Sequence, residues 1–166
     1  AAYRPKAPFM TMSVAEWDKM HAVNTRGTFI FMREAIRQMQ RQGKERGGAI
    51  VNISTIGTAL PTVFNNTHYD SSKGGINALT RTSASEFAAD GIRINAVMPG
   101  GVDTEGTRKM RTDPSQSFVM SGPISLPGRL LLGMAQPIQL ASAILFLASP
   151  AASYVTGHIL AVDGGY

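Results

Sequence analysis

The chain has 166 residues, of which 43% are apolar and 16% charged, and carries a net charge of +5 from 16 basic and 11 acidic side chains. That balance fits one globular α/β domain and excludes a disordered chain. Cysteine is absent, which excludes a disulfide framework and any thiolate metal site.

Three histidines (His21, His68, His158) lie far apart and lack metal-ligand spacing, so no metal is expected. The basic residues are dispersed. Their densest group, Arg108, Lys109 and Arg111, falls in a polar stretch, so a nucleic-acid partner is not expected. No apolar run reaches the length that spans a bilayer, and the first residues carry no signal-peptide pattern. The expectation is a soluble cytoplasmic protein.

Residues 1–12 read as loop, with Pro5 and Pro8. Ser13-Val14-Ala15-Glu16 has the form of a capping box, in which the serine hydroxyl takes an orphan amide and the glutamate reaches back. A long helix follows over about 14–41, with a bend expected near Asn24 and Gly27. Ala49-Ile50-Val51-Asn52-Ile53 is a short β-branched run and predicts a buried strand. Residues 56–66 read as loop. A helix is predicted over about 68–89, stopped near Asp90-Gly91. Residues 92–98 predict a second strand, ended by Pro99-Gly100.

Residues 101–135 are rich in Gly, Pro, Ser and Thr and exceed an ordinary connection, so the segment 105–135 is expected to be a functional lid. It includes Met110, Phe118, Met120 and Arg129. Pro137 opens a helix to about 148, and Ile159–Val162 predicts the last strand before Asp163-Gly164-Gly165. Helices alternating with strands imply parallel pairing through crossovers, hence an α/β doubly wound sheet in a single domain over 1–166. Three strands make a narrow sheet with an open edge.

Tyr69-Asp70-Ser71-Ser72-Lys73 carries the chemistry. Residues four apart on a helix share a face. An ammonium beside a phenol favours phenolate and lowers its pKa from about 10. A phenol tuned in that way exchanges a proton with a substrate oxygen near neutral pH. Alone, the Tyr-x-x-x-Lys spacing is common and weak.

Five motifs in order make it stronger. They are Asn24 in Val23-Asn24-Thr25, Ile50–Thr55, Tyr69 with Lys73, Asn95–Gly100 with Thr104, and Tyr154–Gly157 leading to Val162–Gly165. Together they resemble the short-chain dehydrogenase/reductase family over nearly the whole chain, and the fold implied is a Rossmann-like sheet. The resemblance implies that Tyr69 is the general acid/base and that Lys73 lowers its pKa and binds the nicotinamide ribose. It implies that Asn24 holds a relay water, and that Pro99, Gly100, Val102 and Thr104 lie against the nicotinamide of NAD or NADP. The hydroxyl that stabilises the developing alkoxide falls at Thr55 when the strand is matched and at Ser54 when Gly57 is matched. Adjacent strand residues face opposite ways, so both cannot serve.

The family's Gly-rich turn, which cradles pyrophosphate between a strand and a helix, is missing from this sequence. So is the residue that selects NAD or NADP. The resemblance is therefore to the C-terminal catalytic portion, with Ala1-Ala2 as the remainder of an earlier turn and about 80 residues of nucleotide-binding half lacking. The expectation is an alcohol/carbonyl oxidoreductase whose isolated 166 residues are inactive and whose complete form is a homodimer or homotetramer. The competing expectation is a non-catalytic oligomerisation remnant.

Overall fold

The computed structural model describes residues 5–112 and 122–166, apart from the side chains of residues 110–112. Ala1-Ala2, Phe118, Met120 and the Met110 side chain therefore lie outside the described residues. The capping box at Ser13 is formed: its Oγ accepts from the Glu16 amide at 3.2 Å, and Glu16 Oε2 accepts from the Ser13 amide at 2.8 Å.

The first helical stretch is not one regular helix. α1 (Val14–His21) runs into a π-helical turn at Ala22–Arg26 and then into α2 (Gly27–Gln42). Gly27 keeps helical angles (φ −58, ψ −49) and its amide reaches back five residues to the Ala22 carbonyl. The expected bend is thus an extra residue inserted in a turn, not a glycine kink.

β1 (Gly48–Ile53) leads through the 3-10 turn Ile56–Thr58 to α3 (Thr67–Phe87). Gly91, with φ 72, ends the helical stretch in the left-handed conformation that glycine tolerates. β2 (Ile92–Pro99) follows. The stretch expected to be loop contains α4 (Glu105–Thr112) and a 3-10 turn at Pro123–Ser125. A parallel bridge between Val102 and Ala135 closes this excursion at its base. α5 (Pro137–Ala148) and β3 (Ile159–Val162) match the sequence-based bounds.

The three strands form one parallel sheet in the order β1-β2-β3, with Asn52 opposite Ala96 and Ala96 opposite Ile159. Alternate side chains feed two cores. Ile50, Ile92 and Ile94 pack with Met32, Ile36 and Ala84 of α2 and α3. Val51, Val97 and Leu160 pack with Leu140 and Leu147 of α5 on the other face. Helices thus cover both faces, and this is an incomplete Rossmann-like α/β fold. Among the described residues β1 and β3 each pair only with β2, so both outer edges are open.

Candidate active site

In open α/β sheets ligands bind beyond the carboxyl ends of the strands. Here those ends bring together Ser54 and Thr55 after β1, Gly100 after β2 and Asp163 after β3, with Tyr69 in the first turn of α3. Tyr69 and Lys73 are both buried, at 7% and 6% exposure. Lys73 Nζ lies 5.9 Å from the centre of the Tyr69 ring and donates to the Ile53 carbonyl at 2.8 Å. That bond fixes the ammonium against the last residue of β1. The turn after β1 is pressed onto the same helix: a Cβ at Gly57 would lie 2.4 Å from Asp70 Oδ1.

The two candidate hydroxyls face differently. Ser54 is 2% exposed and directs its Oγ toward the Lys73 carbonyl at 3.5 Å. Thr55 Oγ1 accepts the Gly57 amide at 3.3 Å and caps the Ile56–Thr58 turn. Regular alternation continues from Asn52, whose Nδ2 donates to Thr80 Oγ1 of α3 at 2.9 Å.

Asn24 sits in the π-helical turn, buried. Its Nδ2 donates to Ser72 Oγ at 3.0 Å and to the Met20 thioether at 3.2 Å. Ser72 Oγ in turn donates to the Tyr69 carbonyl at 2.7 Å. Asn24 and Lys73 both line a cavity of about 440 Å³ beside β1, with Val51 and Ile53 among its walls. Polar groups at two points of its lining make room for bridging water.

Gly100 stands where β2 and β3 converge, and its amide donates to the Val162 carbonyl at 3.1 Å. A Cβ there would lie 2.7 Å from Asp163 Cα, so glycine is required by close backbone approach. Val102 packs against the α5 core. Thr104 begins α4: its Oγ1 accepts the Thr107 amide at 3.1 Å. Two members of the basic group in this helix are paired locally, Arg108 with Asp103 at 3.0 Å and Lys109 with Glu105 at 2.7 Å; the Arg111 side chain lies outside the described residues. Among the described residues no three His, Asp or Glu side chains converge on a point that could hold a metal.

Sequence reasoning gave no individual role to several supporting residues. Fully buried Asn95 donates from Nδ2 to the Val155 carbonyl at 2.9 Å and accepts the His158 amide at 3.0 Å. Arg93 donates to the carbonyls of Leu147, Ser149 and Val155, sealing the end of α5. A polar residue inside an apolar strand was the available signal for both. His68 is wholly buried, and among the described residues neither of its ring nitrogens has a hydrogen-bond partner. Burial pushes its pKa below the ordinary 6.5, and Lys6 and His21 act in the same direction, while Glu16 opposes them.

A family model described as enoyl-(acyl carrier protein) reductase matches residues 1–166. The chain belongs to the short-chain dehydrogenase/reductase family. Among its relatives it is 42% identical to the cis-4-hydroxycyclohexanecarboxylate dehydrogenase of Sinomonas cyclohexanicum, over 98% of this chain and 61% of that protein. It is 44% identical to the L-tagatose-forming galactitol 2-dehydrogenase of Cereibacter sphaeroides, over 92% of this chain and 57% of that protein. Solved structures of the short-chain dehydrogenase/reductase fold superimpose closely. Levodione reductase gives a TM-score of 0.85 at 28% identity, covering 99% of this chain and 62% of that one. A protein described as an NAD(P) dependent gluconate 5-dehydrogenase of Beutenbergia cavernae, with bound NADP, gives 0.84 at 33% identity, covering 99% and 63%. The chain thus spans about three-fifths of the length of these short-chain dehydrogenase relatives.

Proposed function

We propose that this chain is the C-terminal catalytic part of an NAD(P)-dependent short-chain dehydrogenase that interconverts a secondary alcohol and a carbonyl. One observation carries the reading: a buried phenol and a buried ammonium share one turn of α3 at the carboxyl end of the sheet, and the ammonium is tethered to β1. In reduction, Tyr69 Oη gives its proton to the carbonyl oxygen as charge develops there. In oxidation, the phenolate takes the proton from the alcohol. Lys73 stabilises the phenolate by its charge. Asn24 and Lys73, sharing one cavity, pass the proton onward through water.

Thr55 is the better of the two hydroxyls. It accepts the Gly57 amide and so keeps its own proton for a substrate oxygen, whereas Ser54 directs its hydroxyl at the Lys73 carbonyl. Ser54 then serves to position α3 against β1.

NAD or NADP, when bound, supplies the hydride chemistry. The residues at the strand ends fit its nicotinamide-ribose end. Lys73 offers ammonium donors, Tyr69 a hydroxyl, and Pro99, Gly100, Val102 and Thr104 a backbone surface held in place by the Gly100–Val162 bond and the Thr104 cap. No Gly-rich turn for the phosphates occurs in the sequence. The 166 residues alone are therefore expected to be inactive. Within the segment 105–135, residues 105–112 and 122–135 are described, and they border the substrate as a lid in this single domain. The location assigned is cytoplasmic, and among the described residues no helix is long and apolar enough to cross a membrane.

A second copy is the assigned partner. An apolar groove of about 610 Å³ between α2 and α3, lined by Phe29, Ile36, Leu79 and Phe87, offers the contact. Light scattering of the whole gene product reads this directly, and a monomer at micromolar concentration rejects it.

The catalytic reading is tested on the whole gene product with NAD and NADP against cyclohexanol, cyclopentanol and galactitol, the last two being alcohols for which relatives are named. Tyr69→Phe is expected to lower kcat/KM by at least about 100-fold with an unchanged fold. Retention of most activity in that variant rejects the role of the phenol. A second reading is a non-catalytic oligomerisation remnant. Absence of cofactor binding by the whole gene product would establish it.

A further inference from the structure

The loop between β1 and α3 carries Ser54 and Thr55 at one end and leads into Tyr69 at the other. Its large apolar side chains gain little from burial, with Leu60 42% and Phe64 60% exposed, while Thr62 between them is buried. Backbone contacts grip it instead. The Tyr166 hydroxyl donates to the Pro61 carbonyl at 2.8 Å, across 105 residues of sequence. The Ile124 amide donates to the next carbonyl, Thr62, at 2.9 Å. Gly122 lies so close that a Cβ would sit 2.7 Å from Val63 Cα. Three consecutive loop residues are thus held by two remote segments.

Tyr166 is itself aimed. Gly164 and Gly165, with φ of 68 and 82, fold the chain back after β3. The Gly165 amide donates to Asp163 Oδ1 at 3.1 Å, and the Leu132 amide donates to the Gly164 carbonyl at 3.2 Å. Arg129 places its guanidinium 5.8 Å from the centre of the Tyr166 ring. These contacts orient the phenol before it reaches Pro61.

We propose that Tyr166 is a positioning residue whose hydroxyl latches the Pro61 loop and so sets the separation between the end of β1 and Tyr69. The proposal rests on the oxidoreductase reading for its consequence, because that separation is what places the Thr55 hydroxyl and the Tyr69 phenol about one substrate oxygen. The latch itself is a matter of structure and can be tested without turnover.

The test is Tyr166→Phe, which keeps the ring over Arg129 and removes only the donor. One net hydrogen bond corresponds to about a fivefold change in local opening. Amide exchange by NMR is expected to quicken about fivefold at Ile124, whose acceptor lies in the loop. The Ala96 amide, bonded to His158 in the sheet, serves as the unchanged control.

A second readout separates a latch from simple packing. Burial raises the Tyr166 pKa above the ordinary 10.0, with Arg129 opposing, and Asp163 is the acidic residue of its turn. The Ile124 methyl signal, followed from neutral to alkaline pH, is expected to titrate with that phenol in the native protein and to stay flat in Tyr166→Phe. Unaltered exchange at Ile124, or the same methyl titration in both proteins, overturns the proposal. Neither readout needs substrate, so failure here is distinguishable from failure of the oxidoreductase reading.

Discussion

Gly74 and Gly75 are neighbours in α3, yet their surroundings differ sharply. A Cβ at Gly74 would meet nothing within 4 Å. A Cβ at Gly75 would lie 2.9 Å from Thr25 Cγ2. That methyl cannot swing away freely, because Thr25 Oγ1 donates to the Ser72 carbonyl at 2.7 Å and a β-branched side chain is stiff at χ1. Alanine at either position gains helix propensity, on the order of 0.4–1 kcal/mol. That gain cancels between the two variants. What remains is the overpacking at Gly75, about 1–3 kcal/mol.

For 166 residues the unfolding entropy near the midpoint is about 0.35 kcal/mol/K. Gly75→Ala should therefore melt about 3–9 °C below Gly74→Ala, measured by circular dichroism on matched samples. Thr25→Ser removes the obstructing methyl and keeps the hydroxyl, so adding it to Gly75→Ala should restore most of the difference. Equal melting temperatures for the two alanine variants, or no recovery with Thr25→Ser, would refute this account of how the π-helical turn and α3 meet. Of the two neighbours, Gly75 serves contact within the chain and Gly74 faces open space.

Two further perturbations read other parts of the structure. His68 is held below its ordinary pKa of 6.5 by burial, so the unfolded chain binds its proton more readily. Its contribution is complete above the unfolded value and declines as pH falls through 6.5 toward the folded one. Urea midpoints should drop between pH 7.5 and 5.5, and His68→Leu should flatten that slope; a parallel slope in the variant counts against it. Arg93→Met leaves carbonyls at Leu147, Ser149 and Val155 without their guanidinium donor, which should cost about 2–4 kcal/mol in urea unfolding. A loss under about 0.5 kcal/mol would mean that water replaces the guanidinium fully.

Much of the architecture was legible because periodicity reports burial. Ile50 and Val51 belong to opposite cores, and a β-branched run with no polar alternation announces a strand covered on both faces. α5 was read to its bounds because Pro137 starts it and apolar residues follow at 138, 140, 141, 144, 145 and 147. The π-helical turn at Ala22–Arg26 was not legible as such, since an inserted residue has no composition of its own. α4 was hidden by its polarity: it is stabilised by pairs such as Lys109 with Glu105 and by the Thr104 cap, not by an apolar stripe.

At the site, the spacing of Tyr69 and Lys73 could be read directly, because i and i+4 on a helix must share a face. The tether of Lys73 to Ile53 could not, since it depends on how α3 settles on β1. The choice between Ser54 and Thr55 was open for a similar reason. Parity says that they diverge, but only the packing of the turn against Asp70 says toward what.

Two donors near the carboxyl end of the sheet rest in part on sulfur. Asn24 leans on Met20 at 3.2 Å and Asn52 on Met32 at 3.3 Å. A thioether is a soft, polarisable acceptor on an unbranched arm. Each joint can therefore give a few tenths of an ångström without stranding its donor, and the helices can settle as the chain breathes. The same softness exposes a weakness. Met32 is itself part of the core with Ile36, Ala84, Ile92 and Ile94, so a bulkier sulfoxide there would disturb that packing along with the joint.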